Sequence, residues 1–229
     1  MKRSDKLPKK NTQLKKESMS SIKKRASLIF DILVNEFPNA STALDHSNPF
    51  ELLVATILSA QCTDERVNKV TPLLFKTFKT PNALANGNLG DIKSLLKSVN
   101  FFNNKAINIK KMANQLLDDF NGEVPADRDK LTSLAGVGRK TANVVLGQSF
   151  NIPGITVDTH VNRLSNRLGF TKNKDAVKAE MDLINIWDDS IWTDFSTVLI
   201  LHGRASCTAR KTSCETCCIS DLCPSKNIA

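Results

Sequence analysis

The sequence contains no tyrosine, and aromatic residues make up only 6% of its 229 positions. Glycine and proline are also sparse, at nine and eight. A twisted β-sandwich takes aromatic and β-branched residues for its strands and glycine and proline for its turns, so this balance argues for helices. No run reaches the roughly 18 to 20 apolar residues that a membrane-spanning helix requires. The longest apolar stretch, residues 52–60, is too short, and no apolar segment follows the basic start as a secretory signal would demand. The reading is of an intracellular protein without a membrane partner, cytoplasmic and, if bacterial, nucleoid-associated. In a reducing compartment disulfides are disfavoured, so six cysteines point to metal or cluster ligation.

What is present fills in the picture. A hydrophobic fraction of 41% is enough for a packed core. The net charge of +9 suggests a polyanionic partner, but its distribution qualifies that inference. The first 25 residues hold ten of the 32 basic residues and two of the 23 acidic ones, which leaves the rest of the chain with 22 against 21. The basicity is a tail, expected to lack regular structure as far as about Ser18. A phosphate-binding arm, a targeting sequence and a merely solvated terminus all fit it.

Apolar residues recur at three- and four-residue steps over 20–37, where Pro38 stops the pattern, and over 48–58, opened by Asn48 and Pro49 as cap and first helical residue. The pattern resumes over 67–78, with Pro72 a candidate kink or restart, and in a short helix from Thr80 and Pro81. It continues over 91–99, 105–120 (ended by Gly122), 128–134, 139–150, 160–168, 174–187 and 191–202. About eleven helices on short loops, with no strand pattern longer than 154–157, define an all-α fold. After Gly203 the periodicity gives way to cysteines and polar residues.

That end reads Cys207-x6-Cys214-x2-Cys217-x5-Cys223. A segment too short and polar to make its own core is ordered when it ligates a metal centre, because binding energy then serves as folding energy. The spacing permits tetrahedral zinc or a [4Fe-4S] cluster. One CxxC pair with wider gaps, instead of two pairs, favours the cluster. Cys62 and Cys218 fall outside the pattern and read as spectator thiols.

Residues 131–142 read as helix, Gly-x-Gly turn, helix. Gly136 and Gly138 lie where the backbone turns tightly, and their amides beside a helix N-terminus make an anion site suited to a DNA phosphate. A plain interhelical turn would use the same glycines; the Arg139-Lys140-Thr-Ala that follows strengthens the anion reading. Lys140 lies in the first helical turn, where the dipole disfavours an ammonium and burial would disfavour it further, giving a neutral amine able to form a Schiff base. A lysine that only touches phosphate suits the position too, and residue physics alone favours that plainer role. Asp158 occupies an N-cap position, where it serves as an ordinary cap, as a carboxylate facing a sugar that develops positive charge, or as both. His160 reads as structural.

Together, Leu58-Ser-Ala-Gln61-Cys-Thr-Asp64, Phe102-Asn103-Asn104-Lys105-Ala106, Leu134-Ala-Gly-Val-Gly-Arg-Lys-Thr-Ala142, Val157-Asp-Thr-His160 and the four-cysteine loop resemble the endonuclease III family of helix-hairpin-helix DNA glycosylases. The resemblance spans residues 50–223. It implies two helical domains flanking a DNA-binding cleft: a six-helix barrel over 42–152 with the helix-hairpin-helix at 128–150, and a discontinuous domain of 19–41 and 153–229 with a cluster loop at 207–223. Residues 1–18 remain as the basic tail. The implied activity is that of a monomeric base-excision glycosylase and AP lyase acting on double-stranded DNA with damaged, chiefly oxidised, pyrimidines or abasic sites.

In this family pattern Lys140 is the nucleophile that forms a Schiff base ahead of β-elimination, and Asp158 is the essential aspartate. Gln61 fills the gap left by a flipped nucleotide and Phe101 is an apolar wedge. Gly136, Gly138, Arg139, Arg210 and Lys211 meet the DNA, while Cys207, Cys214, Cys217 and Cys223 hold a [4Fe-4S] cluster. Two departures stand out: Ala135 replaces a common proline of the hairpin, and Asn100 replaces a common glycine before the wedge. Two competing readings remain. A monofunctional adenine-type glycosylase lacks a lysine at position 140 and adds a C-terminal domain. A non-catalytic helix-hairpin-helix module with a structural metal would use Lys140 only on phosphate.

Overall fold

A computed structural model describes residues 17–226. The tail expected over 1–18 lies almost wholly outside the described residues. Of its last two, Glu17 pairs with Arg25 at 2.7 Å and Ser18 caps the first helix.

Eleven α-helices run through the described residues: α1 (Met19–Glu36), α2 (Pro49–Ser59), α3 (Asp64–Thr77), α4 (Pro81–Asn86), α5 (Leu89–Leu95), α6 (Phe102–Phe120), α7 (Arg128–Ser133), α8 (Arg139–Phe150), α9 (Thr159–Arg167), α10 (Ala176–Ile184) and α11 (Trp192–Ala205). No strand forms among them; a single isolated bridge joins Cys207 and Thr212.

Local chemistry sets most helix starts. Asn48 and Thr80 accept the Glu51 and Ala83 amides, and each is followed by a proline that has no amide to waste. α3 begins three residues earlier than the apolar pattern, because Thr63 accepts the Arg66 amide and Asp64 and Glu65 occupy the dipole-favoured first turn. Pro72 sits inside α3 without ending it: Val67, Thr71 and Leu74 are buried, and that packing offsets the one lost backbone bond. α10 is shorter than its pattern, starting only after the Asp175 cap and stopping at Ile184. Asn121 and Gly122 are both left-handed and end α6 together, the Gly122 amide reaching back to the Leu116 carbonyl.

Two hydrophobic cores organise the helices. The first gathers buried residues of α2 through α8, with α2 at its centre: Leu52 through Leu58 are all buried, as befits a helix that is apolar all round. The second joins α1 to α9, α10 and α11 around Phe170, Trp187 and Phe195. Trp187 lies 3.8 Å from Phe195 between centroids, and Phe170 meets it edge-on at 5.0 Å. α8 of the first core abuts α11 of the second at Gly147, where a Cβ would stand 2.7 Å from Thr193 Oγ1. Only glycine allows that approach, and beside it the two cores leave a cleft.

Candidate active site

The cleft opens to solvent. The first core lines it with Asp64, Lys140 and Gln148, the second with Asp158, Ser196 and Arg204. Arg204 Nη2 spans it to Asp64 Oδ2 at 2.9 Å.

Lys140 is the second residue of α8, whose N-cap, Gly138, offers no side chain to the first-turn amides. The orphan donors of that turn therefore remain available to an anion. Lys140 is exposed. The burial invoked on sequence grounds is thus absent from the protein alone, and water leaves this amine only when another body covers the cleft.

Asp158 caps α9, its Oδ1 accepting the His160 and Val161 amides at 2.8 Å each, which leaves Oδ2 uncommitted among the described residues. The extended segment that delivers it, Gly154 to Val157, is buried and held from both cores. From α8, Asn143 Nδ2 donates to the Ile155 carbonyl at 2.8 Å; the Thr156 amide donates to Ser196 Oγ of α11 at 2.9 Å. The helix that carries Lys140 and the segment that delivers Asp158 therefore touch each other. His160 plays the structural part expected of it: burial pushes its imidazole pKa down, and Nδ1 lies 3.2 Å from Arg163 Nη2.

The turn between α7 and α8 contains one glycine that the fold requires and one that it does not. Gly136 has φ +79, and a Cβ there would stand 3.1 Å from Asn108 Cβ. Gly138 has φ −96, with nothing within 4 Å of a Cβ position. Ala135 keeps an amide that proline would lack, and Gln115 Oε1 of α6 accepts it at 2.8 Å. That bond offsets the loosening expected from the missing proline.

Cys207, Cys214, Cys217 and Cys223 line one small cavity beneath the C-terminal loop. No three His, Cys, Asp or Glu side chains among the described residues are drawn together around a point fit for one metal ion. Burial pushes the Cys217 and Cys223 thiols up, and neighbouring cysteines add to the shift. Four thiolates in such a place call for a cationic centre. Arg167 Nη1 donates to Cys207 Sγ at 3.1 Å and His202 Nε2 lies 3.5 Å from Cys217 Sγ, so polar partners already face two of the sulfurs.

A family model described as HhH-GPD superfamily base excision DNA repair protein matches residues 54–188. Endonuclease III of Synechocystis sp. is 51% identical over 208 residues, covering 90% of this chain and 95% of that protein. Endonuclease III of Escherichia coli (strain K12) is 46% identical over 189 residues, covering 82% and 90%. Two solved structures, a non-covalent endonuclease III–DNA complex and a trapped endonuclease III–DNA covalent intermediate, each superpose with a TM-score of 0.86 at 42% identity over 90% of this chain and 97% of theirs. This chain belongs to the endonuclease III family of the HhH-GPD superfamily.

Within the endonuclease III fold, the remaining candidate residues lie outside the lining of the cleft. Gln61 follows α2 and Phe101 precedes α6; both are exposed and both have positive φ. Arg210 and Lys211 sit on a tight exposed turn where Thr208 Oγ1 donates to the Lys211 carbonyl at 2.6 Å, and neither joins an ion pair among the described residues. Arg139 is differently engaged: Nε and Nη2 grip the Glu180 carboxylate of α10 at 2.7 and 2.9 Å.

Sequence reasoning missed Glu180, Asn143, Lys105 and the Arg204–Asp64 pair. For Lys105 a signal existed, a lysine on the apolar face of α6. It is 6% exposed, and its Nζ donates to the Leu58 and Ala60 carbonyls at 2.8 and 2.6 Å. No helix of the described residues is long and apolar enough to cross a membrane.

Proposed function

We propose that this protein is a bifunctional base-excision DNA glycosylase and AP lyase that acts on duplex DNA carrying oxidised pyrimidines or abasic sites. The observation that carries the reading is the convergence of Lys140 and Asp158 on one cleft, each from a helix N-terminus and each from a different core. The first core acts as a body over 42–152 and the second over 19–41 with 153–229, and DNA lies across the cleft with one nucleotide turned out of the stack.

The Lys140 amine lone pair bonds to C1′, the C1′–N glycosidic bond breaks, and the base leaves with the electron pair and gains a proton. Opening of the C1′–O4′ bond yields the Schiff base. Loss of a C2′ proton then expels the 3′ phosphate, and hydrolysis of the imine returns the lysine. Asp158 opposes the positive charge that develops on the sugar, and its Oδ2 accepts the proton that the lysine sheds. DNA itself dries the exposed amine as it covers the cleft. Gly136, Gly138 and the first amides of α8 seat a phosphate, as do Arg210 and Lys211; Arg139 meets the backbone with what its pairing to Glu180 leaves free.

Cys207, Cys214, Cys217 and Cys223 would hold a [4Fe-4S] cluster, supported by their convergence on one cavity and by their all-thiolate donor set. When bound, that group supplies the folding energy that the polar C-terminal loop lacks.

Borohydride reduction on an abasic duplex tests the chemistry. Wild type is expected to form a covalent adduct and Lys140→Ala none; strand scission by Lys140→Ala would overturn the assignment. Absorption at about 400 nm and about four irons per chain, both lost in Cys217→Ser, test the cluster.

A further inference from the structure

Four non-glycine residues among those described have positive φ. Asn121 and Asn151 close α6 and α8, where the left-handed conformation is ordinary. Gln61 (φ 55) is the third residue of a turn that the Cys62 amide closes on the Ser59 carbonyl at 3.0 Å, and Phe101 (φ 57) directly precedes α6; both are bulkier than the glycine or asparagine usual at positive φ, so holding them there costs strain. Phe101 is also 62% exposed, more than any other large hydrophobic side chain among the described residues. The family pattern inserts these same two residues into the DNA stack.

The segments that carry them are laced together. Asn100 Nδ2 donates to the Gln61 carbonyl at 2.7 Å. Arg66 Nη1 of α3 donates to the Ser98 carbonyl at 3.0 Å, so bonds run in both directions. Lys105, in the first turn of α6, closes the frame from beneath by gripping the carbonyls of Leu58 and Ala60, the last turn before Gln61. Asn100 stands where the family pattern has glycine, and glycine would have no side-chain amide to offer Gln61.

We propose that Asn100 and Lys105 are positioning residues that brace Gln61 and Phe101 into one two-pronged wedge, so that both prongs enter the duplex as a single preorganised body. The brace rests on the reading of Gln61 and Phe101 as inserted residues. Strain confined to two exposed residues persists only where the surroundings over-determine it, and four hydrogen bonds to the flanking backbone do so here. Prongs already ordered in the free protein lose little entropy on insertion.

The test uses the full-length protein and a duplex holding a tetrahydrofuran abasic analogue opposite 2-aminopurine, whose fluorescence reports stacking. Gln61→Ala, Phe101→Ala and the double variant are compared in two backgrounds, native and Asn100→Asp. The aspartate keeps the shape of asparagine but faces the Gln61 carbonyl with an acceptor; position 100 is exposed, so the fold tolerates it.

With Asn100 in place, each single variant should weaken binding about 10-fold and the double little more, because loss of either prong disables the pair. In the second background, with each loss normalised to Asn100→Asp alone, the two losses should multiply toward about 100-fold. Lys105→Met, which keeps the stem and removes the donors, should uncouple the prongs in the same way. Losses that multiply already in the native background overturn the brace. Coupling that survives both Asn100→Asp and Lys105→Met also overturns it. Should neither single variant alter binding or fluorescence, the reading of Gln61 and Phe101 as inserted residues fails, and the brace with it.

Discussion

Arg139 and Glu180 form a two-point ion pair, Nε to Oε2 at 2.7 Å and Nη2 to Oε1 at 2.9 Å, that ties the residue before Lys140 to a helix of the other core. The Glu180 side chain is only 7% exposed and that of Arg139 35%, so the carboxylate depends on this one cation. Arg139→Ala leaves the Glu180 carboxylate with the Asn143 amide at 3.4 Å but no counter-charge, and should lower stability by about 2–4 kcal/mol, somewhat less than breaking a fully buried pair because the arginine is partly in water. Arg139→Met with Glu180→Leu should recover most of that loss. Urea denaturation checks both. A cost for Arg139→Ala below about 0.5 kcal/mol would make the pair an ordinary surface contact.

Asp158 has two duties that a pair of variants separates. Asp158→Asn keeps an oxygen for the His160 and Val161 amides and should cost less than about 0.5 kcal/mol, whereas Asp158→Ala loses the cap, at about 1 kcal/mol. If the carboxylate charge stabilises the reaction, both should lower the single-turnover excision rate by about 100-fold or more. An active Asp158→Asn beside an inactive Asp158→Ala would reduce the residue to a cap.

What the chain discloses ahead of its structure is local. The starts of α2 and α4 follow from Asn48-Pro49 and Thr80-Pro81 because a cap acts within three residues. The early start of α3 is also written there, in Thr63 and the acidic pair after it, but the apolar period alone points to Val67. Lys140 and Asp158 are recognisable from the motifs around them, and the four cysteines from their spacing. Their surroundings are not. Glu180 lies 41 residues from Arg139, Asp64 140 from Arg204 and Gln61 39 from Asn100. The first two depend on how the two cores pack and the third on how α2 and α6 pack within one core, which no local period encodes. The exposure of Lys140 is illegible for the same reason.

Stability should fall on the acid side through His160. Burial is the largest cause of its lowered pKa; Arg163 and Arg204 push the same way, while Asp158 opposes them. The unfolded chain therefore takes up the proton first, at about pH 6.5, while the folded protein resists it to lower pH. The contribution is fully present above that value and is lost as pH falls below it toward the folded pKa. Protonation would also set an imidazolium against the Arg163 guanidinium, 3.2 Å from Nδ1. Wild type should lose more stability than His160→Gln between about pH 7.5 and about pH 5, a window that brackets the ordinary imidazole value. Chemical denaturation at each pH follows the loss. Parallel curves for the two proteins would remove His160 as the cause.

The two glycines of the α7–α8 turn should respond oppositely to alanine. At Gly136 the backbone is left-handed at φ +79 and a Cβ would crowd Asn108, so Gly136→Ala should cost about 1–2 kcal/mol. At Gly138 φ is −96 and the space is open. There the reduced entropy of the unfolded chain offsets alanine's poorer capping, and Gly138→Ala should change stability by less than about 0.5 kcal/mol. Nothing among the described residues requires glycine at 138. A phosphate seated on the first amides of α8 does, because a methyl group would stand in its path. Gly138→Ala should therefore weaken binding to an abasic duplex by about 10-fold at unchanged thermal stability, a contact-level loss of the size that one phosphate seat supplies. Binding unaffected by the methyl would show that the phosphate does not sit on the α8 amides, and the hairpin would then be a turn and nothing more.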